Sequence, residues 1–316
     1  MSGVIQGFTV IFIVVFVGFI LGRTEALGPG AVIVLSRLVF FVCTPALLFS
    51  SLAKADLADV FSTTLVVAGG SALLVGAIYF VIARWLLKRQ VPEATIGALS
   101  ASYVNSANLG IPIAIFVLDD ASFVAPLLLF QIMVYSPLAL TALDLTAVGR
   151  TDADGATRRI SFRDTVVTPF TNPIVLGGAA GLLISVLGVT LPEAVMEPFD
   201  MLGNASVPGA LLVFGLSLTG VSVLQKGQSP RRDVALAAFL KMVVQPVLVY
   251  FLARFAFGAT GHELFALVVI AALPTAQNVL VYATRYQRGV VLARDSALVT
   301  TLIAIPAIAL IAFLLA

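Results

Sequence analysis

The sequence predicts an all-α integral membrane protein of ten transmembrane helices, arranged as two inverted five-helix repeats with the fourth and ninth spans broken and crossing. Three observations predict this fold: the composition, the spacing of ten apolar segments, and interrupted segments at matching places in the two halves. Of 316 residues, 60% are apolar and 11% are charged, whereas a soluble domain carries about 25% charged residues. The chain therefore has too few charges for a water-exposed surface.

The apolar segments have the length of membrane spans. An acyl core about 30 Å thick needs roughly 20 apolar residues for each helical crossing, and charged, glycine and proline clusters divide the chain into ten such segments. We place these spans at residues 4–22, 31–52, 62–86, 94–117, 123–147, 167–189, 199–222, 234–257, 264–284 and 293–315. The polar stretch 149–165 separates the two halves, and we expect it to be a linker.

The basic residues predict the orientation, because cytoplasmic loops are enriched in lysine and arginine. Fourteen of the eighteen follow odd-numbered spans. Lys54 and Arg254 lie on the opposite side, and Arg37 and Lys241 fall inside spans. We therefore predict a multi-pass protein of the cell membrane with both termini outside and the central loop in the cytoplasm.

The two halves repeat each other at a separation of 169 to 171 residues. Tyr79 to Trp85 resembles Tyr250 to Phe255, Asn105 to Asn108 corresponds to Pro274 to Gln277, and Pro137 to Leu140 corresponds to Pro306 to Ala309. With an odd number of spans in each half, the second repeat must be inserted upside down. Inverted five-helix repeats are a transporter architecture.

Spans four and nine are predicted to unwind at corresponding depths. Proline removes an N–H and clashes with the carbonyl one turn back, and paired broken spans are the best sequence indication of a transporter substrate site. Half-helix N-termini and side-chain amides can bind a carboxylate. Kinks and helix-packing amides are the structural alternative. The predicted substrate-binding residues are Asn105, Asn108, Gly110, Pro112, Pro274, Gln277 and Asn278.

At these residues the chain resembles the auxin efflux carrier family, which includes PIN-type plant auxin carriers and bacterial permeases for malate and malonate. The pieces that carry the resemblance are Asn105-x-x-Asn108-x-Gly110-x-Pro112, Leu273 to Asn278 with Tyr286, Phe41 to Leu52, and Pro208 to Leu218. It covers essentially the whole chain. Plant carriers have a long central loop, whereas this one is short. Related bile-acid symporters bind sodium through acidic and amide residues, and no such carboxylate lies near either break here.

The resemblance implies an elevator-type transporter with two domains. A scaffold domain, often dimeric, would comprise 1–60 and 166–225, and a mobile transport domain 61–148 and 230–316, joined by the cytoplasmic linker 149–165. The substrate would bind where spans four and nine cross. The implied partners are a small organic carboxylate such as an auxin-like acid, malate or malonate, protons, the lipid bilayer and a second copy of the chain.

Ionisable residues inside a membrane are functional candidates. Lys241 could reach a substrate carboxylate or a proton-linked partner, or extend back to the headgroups. Arg37 lies in the scaffold, where headgroup contact or a fixed ion pair is favoured. Asp144 could pair with Lys241, carry a proton or be solvated at the interface. Gln131 and Gln245 are further polar candidates within the transport domain.

Other function classes lack the residues they need. One cysteine and one histidine leave no metal site, we expect no cofactor, and no nucleophile–base set indicates an enzyme. The weak net charge of +2 does not indicate nucleic-acid binding. The alternative to a secondary active or facilitative transporter is a ligand sensor that keeps the transporter fold and binds without transport.

Overall fold

The computed structural model describes residues 2–54, 63–118, 123–147, 173–219, 224–225 and 229–315. Regular structure in these residues is helical apart from one isolated β-bridge. The helices are α1 (Ser2–Arg23), α2 (Ala31–Ala53), α3 (Thr63–Trp85), α4 (Val91–Ser102), α5 (Ser106–Val117), α6 (125–147), α7 (Pro173–Val186), α8 (Glu193–Asn204), α9 (Ser206–Ser217), α10 (Arg231–Ala256), α11 (Gly261–Ala271), α12 (Asn278–Tyr286) and α13 (Val290–Leu315). The predicted linker 149–165 lies outside the described residues.

Several helices have the length and composition of membrane spans. In the described part of the chain, six helical stretches are long and apolar enough to cross a membrane, and four shorter apolar helices accompany them. The six are Ala31–Ala53, Thr64–Trp85, Ala125–Leu143, Glu193–Ser217, Arg231–Ala256 and Val290–Leu315. The structure thus fits a multi-pass membrane protein, while ten crossings with inverted repeats stay a prediction.

Prolines within several long helices follow wide π-helical turns. Such turns at Val39–Cys43, Gln131–Tyr135 and Leu240–Val244 each end two residues before a proline. A proline cannot donate to the preceding turn, and its ring clashes with the carbonyl four residues back. A π turn moves that carbonyl out of register, so these helices continue through their prolines.

Two helix pairs pack closely in a reciprocal arrangement. α1 packs on α9, where a β-carbon on Gly215 would overlap the backbone of Val15. α7 packs on α2, where a β-carbon on Gly181 would overlap the backbone of Phe49. Small residues permit this close approach between membrane helices. The first predicted span therefore contacts the seventh, and the sixth contacts the second. The first span of each half thus packs on the second span of the other half, as expected of two related halves.

Polar contacts at one end of the structure join loops predicted to face the cytoplasm. Arg89, after α3, binds Asp233 at the start of α10 through two hydrogen bonds of 2.7 and 2.9 Å, and this bonding raises the pKa of Arg89. Arg288, after α12, lies 2.9 Å from Glu93 in the first turn of α4. Glu93 thus lies in the first turn of a helix, where a carboxylate interacts favourably with the helix dipole, and it also forms an ion pair.

The loops predicted to face outside also contact one another. Lys54, after α2, pairs with Asp200 of α8 at 3.1 Å. A ring nitrogen of His262, at the start of α11, lies 3.1 Å from the carbonyl oxygen of Leu118, just after α5. These contacts join loops that the sequence places on the same side, and the topology itself stays a prediction.

We predict that Gly215→Ala destabilises the protein by about 1–3 kcal/mol, because the added methyl group overpacks the contact between α1 and α9. Gly70→Ala is the matched control: no atom lies within 4 Å of a β-carbon built there, and alanine favours a helix by about 1 kcal/mol over glycine. Thermal unfolding in detergent compares the two variants. Equal melting temperatures would contradict the packing described for Gly215.

Candidate functional site

The chain unwinds at two places that pair with each other. The first break, residues 103–105, separates α4 from α5, and the second break, residues 272–277, separates α11 from α12. Val104 and Thr275 form an antiparallel β-bridge. The N–H of Asn105 donates to Pro274 O at 2.8 Å, and the N–H of Ala276 donates to Tyr103 O at 3.0 Å. Each break thereby satisfies backbone groups that the other exposes.

The first break lies upstream of the proline expected to cause it. Pro112 falls in the helical part of α5 after a π turn at Ser106–Gly110. The chain resumes helical structure at Asn105, whose side-chain oxygen accepts the N–H of Asn108 at 3.3 Å. An asparagine at this position is a favourable N-cap. The helix is therefore interrupted at the residue that caps its second half.

The amide nitrogen of Asn105 is the unsatisfied polar atom of the first break. Asn105 is 3% exposed, and its Nδ2 is buried without a hydrogen-bond partner in the described structure. Burying an amide donor without an acceptor costs about 1–3 kcal/mol. A ligand oxygen at this position would recover that energy. Asn108, one turn on, is half-buried.

The second break carries the remaining predicted amides. Gln277 is half-buried, and its Nε2 donates to the hydroxyl of Ser217 at the end of α9 over 3.3 Å. Asn278, the first residue of α12, is exposed. The carbonyl oxygen of Pro274 accepts the hydrogen bond from the first break. Gly110 packs against the side chain of Leu273. The structure thus brings Asn105 and Gly110 of the first segment next to the second break, while a shared substrate site stays a prediction.

Gln131, which lies in α6, forms hydrogen bonds with the first break. Its Oε1 accepts from the Ser106 hydroxyl at 2.6 Å, and its Nε2 donates to Val104 O at 3.1 Å. Thr300 of α13 has the matching position at the second break, where its hydroxyl accepts the N–H of Thr275 at 3.1 Å. Thr300 was not predicted as a site residue, although it lies 169 residues after Gln131, which is the separation of the two repeats.

Lys241 and Gln245 lie next to the second break. Lys241 is 0% exposed, and its Nζ donates to Gln245 Oε1 and to Ala271 O, each at 2.7 Å. Ala271 is the last residue of α11. Extension to the headgroups is therefore wrong for Lys241. The side chain of Asp144 lies outside the described residues.

A hydroxyl cluster beside the breaks was not predicted. The Tyr103 hydroxyl lies 2.8 Å from that of Ser136, which lies 3.0 Å from that of Tyr282. The rings of Tyr103 and Tyr135 stack at 5.6 Å. Tyrosine and serine in apolar helices gave no distinct signal, because their grouping depends on the pairing of the breaks.

The breaks carry no formal charge of their own. Residues 94–118 and 264–284 contain no aspartate, glutamate, lysine or arginine. Among the described residues, no group of three or more His, Cys, Asp or Glu side chains could hold a metal ion. Binding at this place would therefore rely on amides, hydroxyls, backbone groups and helix ends.

Comparison with known proteins identifies the family. The family described as "Membrane transport protein" matches residues 4–312 of the chain. The chain belongs to this family of membrane transport proteins. Its membership confirms the resemblance to auxin efflux carriers, and it implies a membrane-embedded protein with a small-molecule substrate.

Two curated relatives of this transport family cover most of the chain. A "Putative malonate transporter" of Rhizobium meliloti (strain 1021) is 25% identical over 303 residues, which span 93% of this chain and 90% of the relative. The "Uncharacterized transporter YfdV" of Escherichia coli (strain K12) is 23% identical over 285 residues, which span 87% and 86% of the two chains.

We predict that Gln131→Met lowers stability by about 1–3 kcal/mol, because it removes the two buried hydrogen bonds that the Gln131 amide makes with Val104 O and the Ser106 hydroxyl. Gln90→Met is the matched control, since Gln90 is exposed and its side chain makes no capping hydrogen bond. Thermal unfolding of both purified variants measures the difference. If Gln131→Met melts with the control, Gln131 does not hold the break.

Proposed function

We propose that the protein is a secondary active or facilitative transporter of a small organic carboxylate, such as malonate, malate or an auxin-like acid, which binds between the two breaks. The observation that carries this proposal is the buried, unpartnered amide of Asn105 at the start of a half-helix. Membership of a membrane transport family supports transport.

The four helix ends at the breaks differ in how they are satisfied. At the carbonyl ends, Ser100 O accepts from the Thr275 hydroxyl and Ala271 O accepts from Lys241. Side chains of the protein thus already cover the partial negative charge of both α4 and α11. A cation would find these carbonyl groups occupied.

The N-terminal ends keep a partial positive charge that suits an anion. Asn105 Oδ1 accepts the N–H of Asn108 at the start of α5, and the carbonyl oxygens of Ala276 and Gln277 accept the N–H groups of Val279 and Leu280 at the start of α12. Asn105, Asn108, Gln277 and Asn278 add side-chain amides at the same ends. Two positively polarised helix starts beside one β-bridge would offer two positions for carboxylate groups, which suits a dicarboxylate. The relative named for malonate supports this substrate class.

The movement that we propose is of the elevator type. The scaffold would contain the closely packed pairs α1–α9 and α2–α7, and the transport domain would contain both breaks with α3, α6, α10 and α13. The hydrogen bond from Gln277 to Ser217 connects the two groups of helices and would change as they move. A homodimer through the scaffold and a proton-coupled cycle belong to the same proposal, as does location in the cell membrane with the termini outside.

We predict that Asn105→Ser reduces malonate flux about tenfold or more, because a hydrogen bond to a charged group contributes about 1.5–3 kcal/mol. Serine retains a capping oxygen for α5, so the fold is preserved while the Nδ2 donor is lost. Asn204→Ser, at an exposed asparagine in α8, is the matched control. Uptake of radiolabelled malonate into proteoliposomes is the measurement.

The outcomes separate the proposal from its alternatives. Flux that Asn105→Ser leaves unchanged would remove the first break from the substrate site. Saturable binding without flux in the unaltered protein would indicate a ligand sensor. Absence of both, across a panel of mono- and dicarboxylates, would contradict the proposed substrate class.

A further inference from the structure

Lys241 is a buried cation that contacts only neutral oxygen atoms among its described partners. Its ammonium group lies within 2.7 Å of the backbone oxygen of Ala271 and of the side-chain oxygen of Gln245. The four ion pairs of the described residues involve other side chains. A charge inside a membrane protein is costly and is kept for function, so this arrangement needs an explanation beyond packing.

The position of the ammonium group is one that a coupling ion would occupy. In transporters with discontinuous helices, half-helix C-terminal ends and unwound carbonyls coordinate sodium or protons. Ala271 O is such a carbonyl, because α11 ends at this residue and the second break follows. A lysine ammonium has the same charge as Na⁺ and donates to the oxygen atoms that would otherwise bind the ion.

We propose that Lys241 is a resident cation that takes the place of a coupling metal ion and positions the second break for substrate. This inference rests on the proposed transport function. Because the ammonium is attached to the chain, it does not leave during the cycle. Substrate movement then requires no sodium and consumes no sodium gradient.

Lys241 contacts the C-terminal, carbonyl end of α11, so it can support substrate binding without touching the substrate. It holds the end of α11, and the paired backbone of Pro274 and Ala276 follows within a few residues. The N–H end of α12 is thereby fixed relative to the first break. Lys241 is a positioning residue in this account, and the amides bind the carboxylate.

The first experiment measures malonate uptake into proteoliposomes with sodium chloride replaced by choline chloride. We expect equal rates for the unaltered protein in both salts, and a loss of about tenfold or more in Lys241→Met, which leaves Ala271 O and Gln245 without a donor. Arg37→Met removes an exposed cation from α2 and is expected to transport normally. Sodium-dependent uptake by the unaltered protein, or normal uptake by Lys241→Met, would overturn the proposal.

The second experiment needs no substrate and therefore remains decisive if the proposed function fails. Lys241→Ser leaves an oxygen-lined space where Na⁺ can bind the folded state and stabilise it by mass action. We expect Lys241→Ser to melt below the unaltered protein in choline and to be restored in part by sodium, with no sodium response in the unaltered protein or in Arg37→Ser. A sodium response of the unaltered protein, or none in Lys241→Ser, would overturn the resident-cation assignment. If Lys241→Ser does not fold, the sodium response of the unaltered protein alone decides.

Discussion

The structure depends on one constraint: backbone groups inside a membrane must find partners within the protein. Two helices can unwind at depth only because the first break and the second break pair as a short antiparallel bridge. Gln131 and Thr300 supply further hydrogen bonds from neighbouring helices. Polar side chains in these apolar helices therefore hydrogen-bond to the backbone of the breaks. The polar groups that remain without a partner form the candidate site.

The site favours an anion because the carbonyl ends and the N-terminal ends of the broken helices differ in the polar groups that cover them. Side chains cover carbonyl groups at the ends of α4 and α11, whereas the starts of α5 and α12 keep their partial positive charge and Asn105 adds an unpartnered amide donor. This asymmetry favours an anion in a region without acidic or basic residues of its own. It also gives Lys241 a role that differs from direct contact with substrate, and it explains how an uncharged crossing can accept a carboxylate.

Much of this organisation could be predicted from sequence because it follows from composition and chain symmetry. Apolar segment lengths indicated the helices, and Pro274 with neighbouring amides indicated the second break. The first break was harder to locate, since Pro112 lies in a helix that a π turn accommodates, as happens before other prolines. The partner of Lys241 could not be predicted, because a backbone carbonyl has no signature in sequence. Thr300 and the hydroxyl cluster around Tyr103 depend on contacts that form only when the breaks pair.

The proposed site requires that a carboxylate occupies the space between the breaks and is bound by neutral donors. A structure determined by electron cryo-microscopy with saturating malonate tests it most directly. We predict ligand density beside the β-bridge of Val104 and Thr275, with a carboxylate oxygen within hydrogen-bond distance of Asn105 Nδ2 and Lys241 still bonded to Ala271 O. Malonate bound elsewhere with the Asn105 amide unoccupied, or bound directly by the Lys241 ammonium group, would contradict it.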